Sequence, residues 1–270
     1  MSPEVRVAFL GLGEAGSAIA TDLVAAGVDV RGYDPLVDPP PGCAQRRNEA
    51  DAVRDAELVL SVNSGSDAAP ALAAASGALR PGSIWADVNT ASPGLKRQLA
   101  AMVADRDVQL VDVALLAPVP GRGLRTPMMM SGPGAQRCAG LLRGWGASVE
   151  VVDGPPGAAI SRKLLRSVFY KGLAAAVVEA LDGAAAAGVE DWLRDNIAQE
   201  LASFDQETIV RLVEGTHTHA RRRTDEMAAA AEQLRELGVR PRIAIAAHDL
   251  LAELRDRADV GVQPRSGSSE

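Results

Sequence analysis

Short runs of apolar, largely β-branched residues alternate with stretches whose apolar positions recur every three to four residues through the first half of the chain; only the second pattern continues afterwards. Val5 to Leu10 reads as a buried parallel strand, followed across Gly11-Leu12-Gly13-Glu14-Ala15-Gly16 by a helix with Ile19, Leu23 and Ala26 on one face. A second strand covers Asp29 to Tyr33 and stops at Asp34. The segment PLVDPPPG after it fits neither a helix nor a central strand, because proline lacks the N–H that both require. A short helix over 48–56, a strand over Leu58 to Val62, a helix over Ser66 to Ala78 and a strand over Ser83 to Asp87 come next. Ser92-Pro93 opens another helix, with Ser as N-cap and Pro at the first helical position. Strands at Gln109 to Val113, Met128 to Ser131 and Ser148 to Val152, with a helix from about Gly134 to Leu142, complete the alternation. This order predicts an α/β fold built on a doubly wound, mostly parallel sheet.

The proline-glycine run at 153–157 ends the strand pattern for good. Beyond it we expect helices over Ala158 to Ala187, with Gly172 or Gly183 as places to bend, and over Asp191 to Val213, Thr216 to Leu237 and Pro241 to Arg257. The chain therefore divides into an α/β domain over 1–155, a smaller all-helical domain over 156–263 and a frayed tail over 264–270.

Composition narrows the classes. Apolar residues make up 47% and charged residues 23%, a globular balance, while aromatics are only 3%, so small aliphatic side chains must fill the interior. A net charge of −7 argues against a nucleic-acid partner, whose phosphates would want a basic face. Cys43 and Cys138 have neither metal-ligand spacing nor a disulfide framework, which points to two reduced thiols. No basic-then-apolar signal opens the chain, and Leu173 to Ala187 is interrupted by Glu179, Asp182 and Gly183, so a soluble cytoplasmic protein without a membrane partner is expected. His217, His219 and His248 gather no acid cluster, and no metal is expected.

The chemistry starts at the glycine turn. Gly11 allows the tight turn, Gly13 lets a pyrophosphate approach the backbone, and Gly16 lets the helix pack close to the strand. The helix N-terminus then offers N–H groups and partial positive charge to the phosphates. Asp34, eighteen residues after Gly16, ends the second strand, where a carboxylate can accept both ribose hydroxyls of an adenosine and repel a 2′-phosphate. The cofactor expected is NAD in preference to NADP, although Arg46 and Arg47 in the following loop could reach in.

Several stretches resemble the β-hydroxyacid dehydrogenase family, which includes 3-hydroxyisobutyrate and 6-phosphogluconate dehydrogenases. FLGLGEAGSAIA resembles its cofactor motif, DVNTASP the segment after its fifth strand, LAPVPGRG its substrate loop and GAAISRKLLRS its catalytic helix. DEMAAAAEQLRELGVRP resembles a phosphogluconate-dehydrogenase-like branch of it. The resemblance implies a Rossmann domain followed by the helical domain. Gly11, Leu12, Gly13, Glu14, Ala15, Gly16, Tyr33, Asp34, Val62, Asn63, Asn89 and Thr90 would then bind the dinucleotide, with Asn89 and Thr90 beside the nicotinamide. Lys163 falls on the catalytic lysine, and Ser167, one turn on, takes the place of a substrate ligand.

Oxidising an alcohol needs a base for the hydroxyl proton and reducing a carbonyl needs an acid, roles a desolvated lysine between two domains can fill in both directions. The expected substrate is a small, acidic hydroxy acid or its carbonyl counterpart. Its loop departs from the family pattern, with Pro120 in place of a serine. Pro118, Arg122, Arg125, Arg222 and Glu226 are the candidate substrate contacts. Imine reduction, oxidative decarboxylation and dinucleotide binding without turnover remain alternatives. The Ala-rich helices from Ala158 to Ala187 present more small apolar surface than one subunit covers, so a homodimer through the helical domain is expected.

Overall fold

The structure, a computed structural model, describes residues 5–260. It separates into two compact units that divide at Arg166 and Ser167. The tail expected over 264–270 lies outside the described residues.

The first unit is organised by an eight-stranded sheet with the strands β1 (Arg6–Leu10), β2 (Asp29–Tyr33), β3 (Ala44–Gln45), β4 (Leu58–Ser61), β5 (Ile84–Asp87), β6 (Gln109–Leu115), β7 (Met128–Ser131) and β8 (Val149–Val151). Their order is β3-β2-β1-β4-β5-β6-β7-β8, and every pairing is parallel except that of β6 with β7. Parallel neighbours need a long crossover, usually a helix. The connection between β6 and β7 holds only a short 3₁₀ turn at Gly123–Arg125, so the chain reverses there. β3 is absent from the expected elements: its two residues follow a run of prolines and pair with Arg31 and Gly32 through the backbone alone.

The helices are α1 (Glu14–Ala25), α2 (Glu49–Val53), α3 (Ala68–Ala75), α4 (Pro93–Met102) and α5 (Ala135–Gly144), followed by α6 (Ala158–Ala186), which runs through the division between the units. α1 and α5 cover one sheet face through Ile19, Leu23, Cys138 and Leu142. α2, α3 and α4 cover the other through Val53, Leu72 and Leu99, around the fully buried Trp85. Alternating residues of one strand supply both cores, Val7 and Phe9 facing one way and Ala8 and Leu10 the other. Strand order reverses between β1 and β4, and in such sheets the crevice at the carboxyl ends beside that switch is where ligands bind. The first turn of α6 belongs with this unit, since Ala159 and Ile160 are buried against Ala114 of β6.

In the second unit, α6 continues unbroken through Gly172 and Gly183. Gly183 serves close packing instead: a Cβ there would lie 2.6 Å from Leu234 Cδ2. The remaining helices are α7 (Glu190–Ala202), α8 (Gln206–Thr218), α9 (Ala220–Glu236) and α10 (Arg242–Asp259). The single helix expected over Asp191 to Val213 is two, and the next begins at Ala220 rather than Thr216. Asp205 makes the break, accepting from Thr208 N at 2.8 Å while Thr208 Oγ1 accepts from Asp205 N at 3.0 Å. This reciprocal cap satisfies the first turn of a new helix better than continuation through Ser203-Phe204 does.

Candidate functional site

The glycine turn sits where β1 meets α1. Gly11 has φ +94°, and a Cβ on it would lie 2.4 Å from the Val62 carbonyl oxygen. A Cβ on Gly16 would lie 2.1 Å from the Gly11 carbonyl oxygen. Both glycines are therefore required by packing. Gly13 differs: nothing lies within 4 Å of a Cβ built there. No side chain caps α1. The turn thus offers open space in front of backbone and an uncapped helix start, which is what a pyrophosphate needs.

Gly11 and Gly13 open onto a cleft of about 660 Å³. Gly11, Gly13, Glu14, Ala15, Asp34, Val62, Asn63, Asn89 and Thr90 all face it, together with Pro35, Leu36, Glu49, Ser64, Gly65, Asp67, Val88 and Leu115. Leu12, Gly16 and Tyr33 are not in its wall: Leu12 and Gly16 are buried, and Tyr33 packs on the core at the end of β2. Asp34 is held rigidly. Its Oδ2 accepts from Leu12 N at 2.7 Å, and its Oδ1 accepts from Leu36 N at 2.8 Å and Val37 N at 3.1 Å. The charged residues of the wall are Glu14, Asp34, Glu49 and Asp67, with no lysine or arginine among its described residues. Arg47 is occupied with Asp51 at 3.0 Å, and neither it nor Arg46 lines the cleft.

At the other end, Asn63 and Asn89 both donate to Ser61 Oγ, at 3.3 and 3.1 Å. Asn89 also donates to Asp87 Oδ1 at 2.5 Å. Lys163, half-buried on α6, donates from Nζ to Thr90 Oγ1 at 3.0 Å, so an ammonium proton stands at the cleft rim. Behind these groups lies a buried cluster absent from the expected site. Lys96 of α4 is fully buried and lies 2.5 Å from Asp87 Oδ2 and 3.3 Å from Asp112 Oδ1. Burial pushes the Asp87 carboxyl above its usual range, against the pull of Lys96 and the Asn89 hydrogen bond. The sequence did carry a signal for the cluster: aspartates inside the otherwise apolar runs IWAD and LVD.

None of the expected substrate-loop contacts Pro118, Arg122 and Arg125 is among the described residues that line the cleft. Pro118, Pro120 and Arg122 are exposed, and Arg122 Nη1 donates to the Pro118 carbonyl at 3.4 Å. Arg125 belongs elsewhere, lining a separate pocket with Asp22, Leu124, Trp145 and Gly146. The cause is Asp22, two turns along α1, whose Oδ2 accepts from Leu124 N at 2.8 Å and pins the loop there. Arg166 Nη1, one turn after Lys163, donates to the Leu116 carbonyl at 3.1 Å. Ser167 follows Lys163 by one turn and is half-buried. Arg222 and Glu226 belong to the helical unit, where they form an i,i+4 ion pair with each other. That unit holds an apolar pocket of about 450 Å³ between α6, α7, α9 and α10, with Trp192, Met227 and Leu234 in its wall. Among the described residues, no group of three or more His, Cys, Asp and Glu is placed to hold a metal ion, and no helix is long and apolar enough to cross a membrane.

Comparison with known proteins agrees with this geometry. Residues 6–150 match the family described as the NAD binding domain of 6-phosphogluconate dehydrogenase, and residues 184–254 match a domain of unknown function, DUF1932. A protein of Mycobacterium tuberculosis named probable 3-hydroxyisobutyrate dehydrogenase is 29% identical over 132 residues, 47% of this chain and 45% of that protein. The chain thus matches under half the length of that relative. A solved structure of a conserved protein, described as similar to 3-hydroxyacid dehydrogenases, aligns with a TM-score of 0.62 at 26% identity, covering 96% of this chain and 100% of that one. An imine reductase from Aspergillus terreus has the same fold, with a TM-score of 0.77 at 17% identity over 97% of this chain and 95% of that one.

Proposed function

The chain belongs to the family of the NAD-binding domain of 6-phosphogluconate dehydrogenase, and from that premise we propose that it is an oxidoreductase acting between nicotinamide cofactor and a small hydroxy acid or its carbonyl form, with Lys163 as general acid/base. The observation that carries the reading is the Lys163 Nζ to Thr90 Oγ1 hydrogen bond of 3.0 Å, because Thr90 is a wall residue of the cleft. The cofactor, when bound, supplies or accepts the hydride. The protein supplies the rest. The glycine turn and the start of α1 bind the pyrophosphate, Asp34 accepts from the adenosine ribose with its remaining lone pairs, and Lys163 takes the substrate's hydroxyl proton in oxidation and returns it in reduction.

NAD is the proposed cofactor. Four carboxylate side chains and, among the described residues, no cation in the cleft wall disfavour a 2′-phosphate, and Arg47 is committed to Asp51. Steady-state kinetics with both cofactors should give a kcat/KM preference for NAD of at least roughly tenfold; a preference for NADP would refute the assignment. The acid/base role is tested with Lys163→Met. Met keeps helix propensity and length, so NAD binding should survive while kcat falls roughly 10²–10⁴-fold. Assays with hydroxy acids, oxo acids and imines identify the substrate class, and turnover confined to imines would remove the hydroxy-acid reading.

A further inference from the structure

A row of polar side chains crosses the middle of the sheet on a face otherwise apolar. Ser61, Asp87, Asp112 and Ser131 are register partners on β4, β5, β6 and β7, and each is 0% exposed. Lys96 is also 0% exposed and adds a hydrogen bond to the Asp87 carbonyl oxygen at 2.8 Å. Three buried ions cost desolvation that apolar residues of similar volume would avoid, so the cluster is poorly explained by stability alone. Two carboxylates and one ammonium leave one negative charge. Asp112 directs it to the start of α6, its Oδ2 accepting from Gly157 N at 3.1 Å and Ile160 N at 2.9 Å, where the helix carries partial positive charge.

The other end of the row reaches the cleft. Asp87 Oδ1 accepts from Asn89 Nδ2 at 2.5 Å. An ionised carboxylate only accepts, so the nitrogen of the Asn89 amide has to face it. The Asn89 oxygen is thereby turned away from Asp87. It is buried and has no hydrogen-bond partner among the described residues, although Asn89 is a wall residue of the cleft and only 3% exposed. A buried acceptor without a donor is unfavourable until a ligand supplies one.

We propose that Lys96, Asp87 and Asp112 form a positioning device for the nicotinamide end of the cleft: Lys96 holds Asp87, Asp87 fixes which way the Asn89 amide faces, and Asn89 Oδ1 accepts a hydrogen bond from the carboxamide N–H of the cofactor. The inference rests on the dinucleotide reading of the cleft. Lys96 and Asp87 act through Asn89 and are positioning residues. The same cluster anchors the first turn of α6, about one turn before Lys163, so it serves both the group that meets the cofactor and the helix that carries the proposed acid/base.

The test is equilibrium binding by calorimetry with three probes: NAD, ADP-ribose, and 3-acetylpyridine adenine dinucleotide, whose ketone replaces the carboxamide and has no N–H. The wild type should bind NAD about tenfold tighter than the acetylpyridine analogue, the size of one buried hydrogen bond. Lys96→Met and Asn89→Ala should each erase that preference while leaving ADP-ribose affinity unchanged. If Lys96→Met does not fold, Asp87→Asn carries the test. Its side chain can keep an oxygen on Lys96 and offer its NH₂ to Asn89, turning that amide over and erasing the preference in the same way. A preference retained in the variant, or a parallel loss of ADP-ribose affinity, would overturn the inference. A wild type that binds neither NAD nor ADP-ribose would instead remove the dinucleotide reading beneath it.

Discussion

Gly13 and Gly16 carry the same residue type for different reasons, and two substitutions separate them. Gly16→Ala drives a methyl group against the Gly11 carbonyl, at 2.1 Å, and neither partner can move without opening the turn. It should lower Tm by several degrees, as backbone overpacking does. Gly13→Ala meets nothing within 4 Å and has an ordinary φ of −61°, so Tm should change little, but the methyl occupies the space proposed for the pyrophosphate. NAD affinity should fall at least tenfold in that variant, measured by titration; unchanged affinity would place the phosphates elsewhere. The two cysteines are inert for a physical reason. Burial pushes the Cys43 thiol up to about 11 and the Cys138 thiol up to about 12, so neither holds appreciable thiolate near neutral pH. An aromatic disulfide reagent at about pH 8 should label neither in the native protein and both after denaturation.

Within the helical unit, one carboxylate closes the start of a helix that has no local cap. Pro241 precedes α10 and makes no side-chain cap, so the first N–H groups of that helix need partners from elsewhere. Glu179 of α6 supplies them, with Oε2 accepting from Arg242 N at 2.6 Å and Oε1 accepting from Ala244 N at 2.8 Å. Partial burial pushes this carboxyl up, but three backbone donors and Arg242 outweigh it and hold the carboxyl below its ordinary 4.5. A depressed pKa means the stabilisation is present above the unfolded-state value and is lost as pH falls through the folded one. Glu179→Gln should therefore cost about 1 kcal/mol at neutral pH, the size of an N-cap, and roughly 2–4 °C in Tm. The gap between variant and wild type should narrow as the pH is lowered from neutral into the acid range below 4.5. Thermal unfolding at neutral and acid pH checks it, and a gap that persists in acid would mean that the loss is one of packing.

At the scale of the whole chain, the two units are covered very differently. The sheet unit buries Trp85, Phe9 and a dense set of Leu, Ile and Val, whereas among the described residues beyond Arg166 the buried side chains are Ala184, Thr208, Ala220, Thr224, Ala231, Pro241, Ala244 and Leu251. Trp192 is 66% exposed and Ile209 67%, with Val178, Val210 and Leu250 exposed as well. Large apolar side chains exposed in this number on one unit leave apolar surface that a partner could cover. We predict a homodimer through the helical unit, giving a mass near twice the 28.0 kDa of one chain by light scattering at micromolar concentration. A monomer under those conditions would end the proposal, and Trp192→Glu should shift the dimer toward monomer while leaving the sheet unit folded.

Local chemistry alone determined the strand-turn-helix at Gly11 to Gly16, the β-branched strands and the helical second half, because glycine freedom, side-chain periodicity and proline's missing N–H act within a few residues. Spacing from the glycine turn marked Asp34, while Asn63, Asn89, Thr90 and Lys163 became candidates through the resemblance to the β-hydroxyacid dehydrogenase family, and the fold brings Asp34, Asn63, Asn89 and Thr90 to one cleft with Lys163 hydrogen-bonded to its wall. What the sequence left open depends on partners distant along the chain. β3 forms only because β2 offers an open edge, α8 starts anew because Asp205 and Thr208 cap each other, and Arg125 leaves the cleft because Asp22 holds Leu124. The Lys96 cluster is the extreme case. Its members come from β5, α4 and β6, and a lone lysine on a helix reads as a solvated side chain until sheet register sets Asp87 beside Asp112 beneath it. Short-range preference is written residue by residue, whereas burial of a charge is decided only when the tertiary fold supplies its counter-ion.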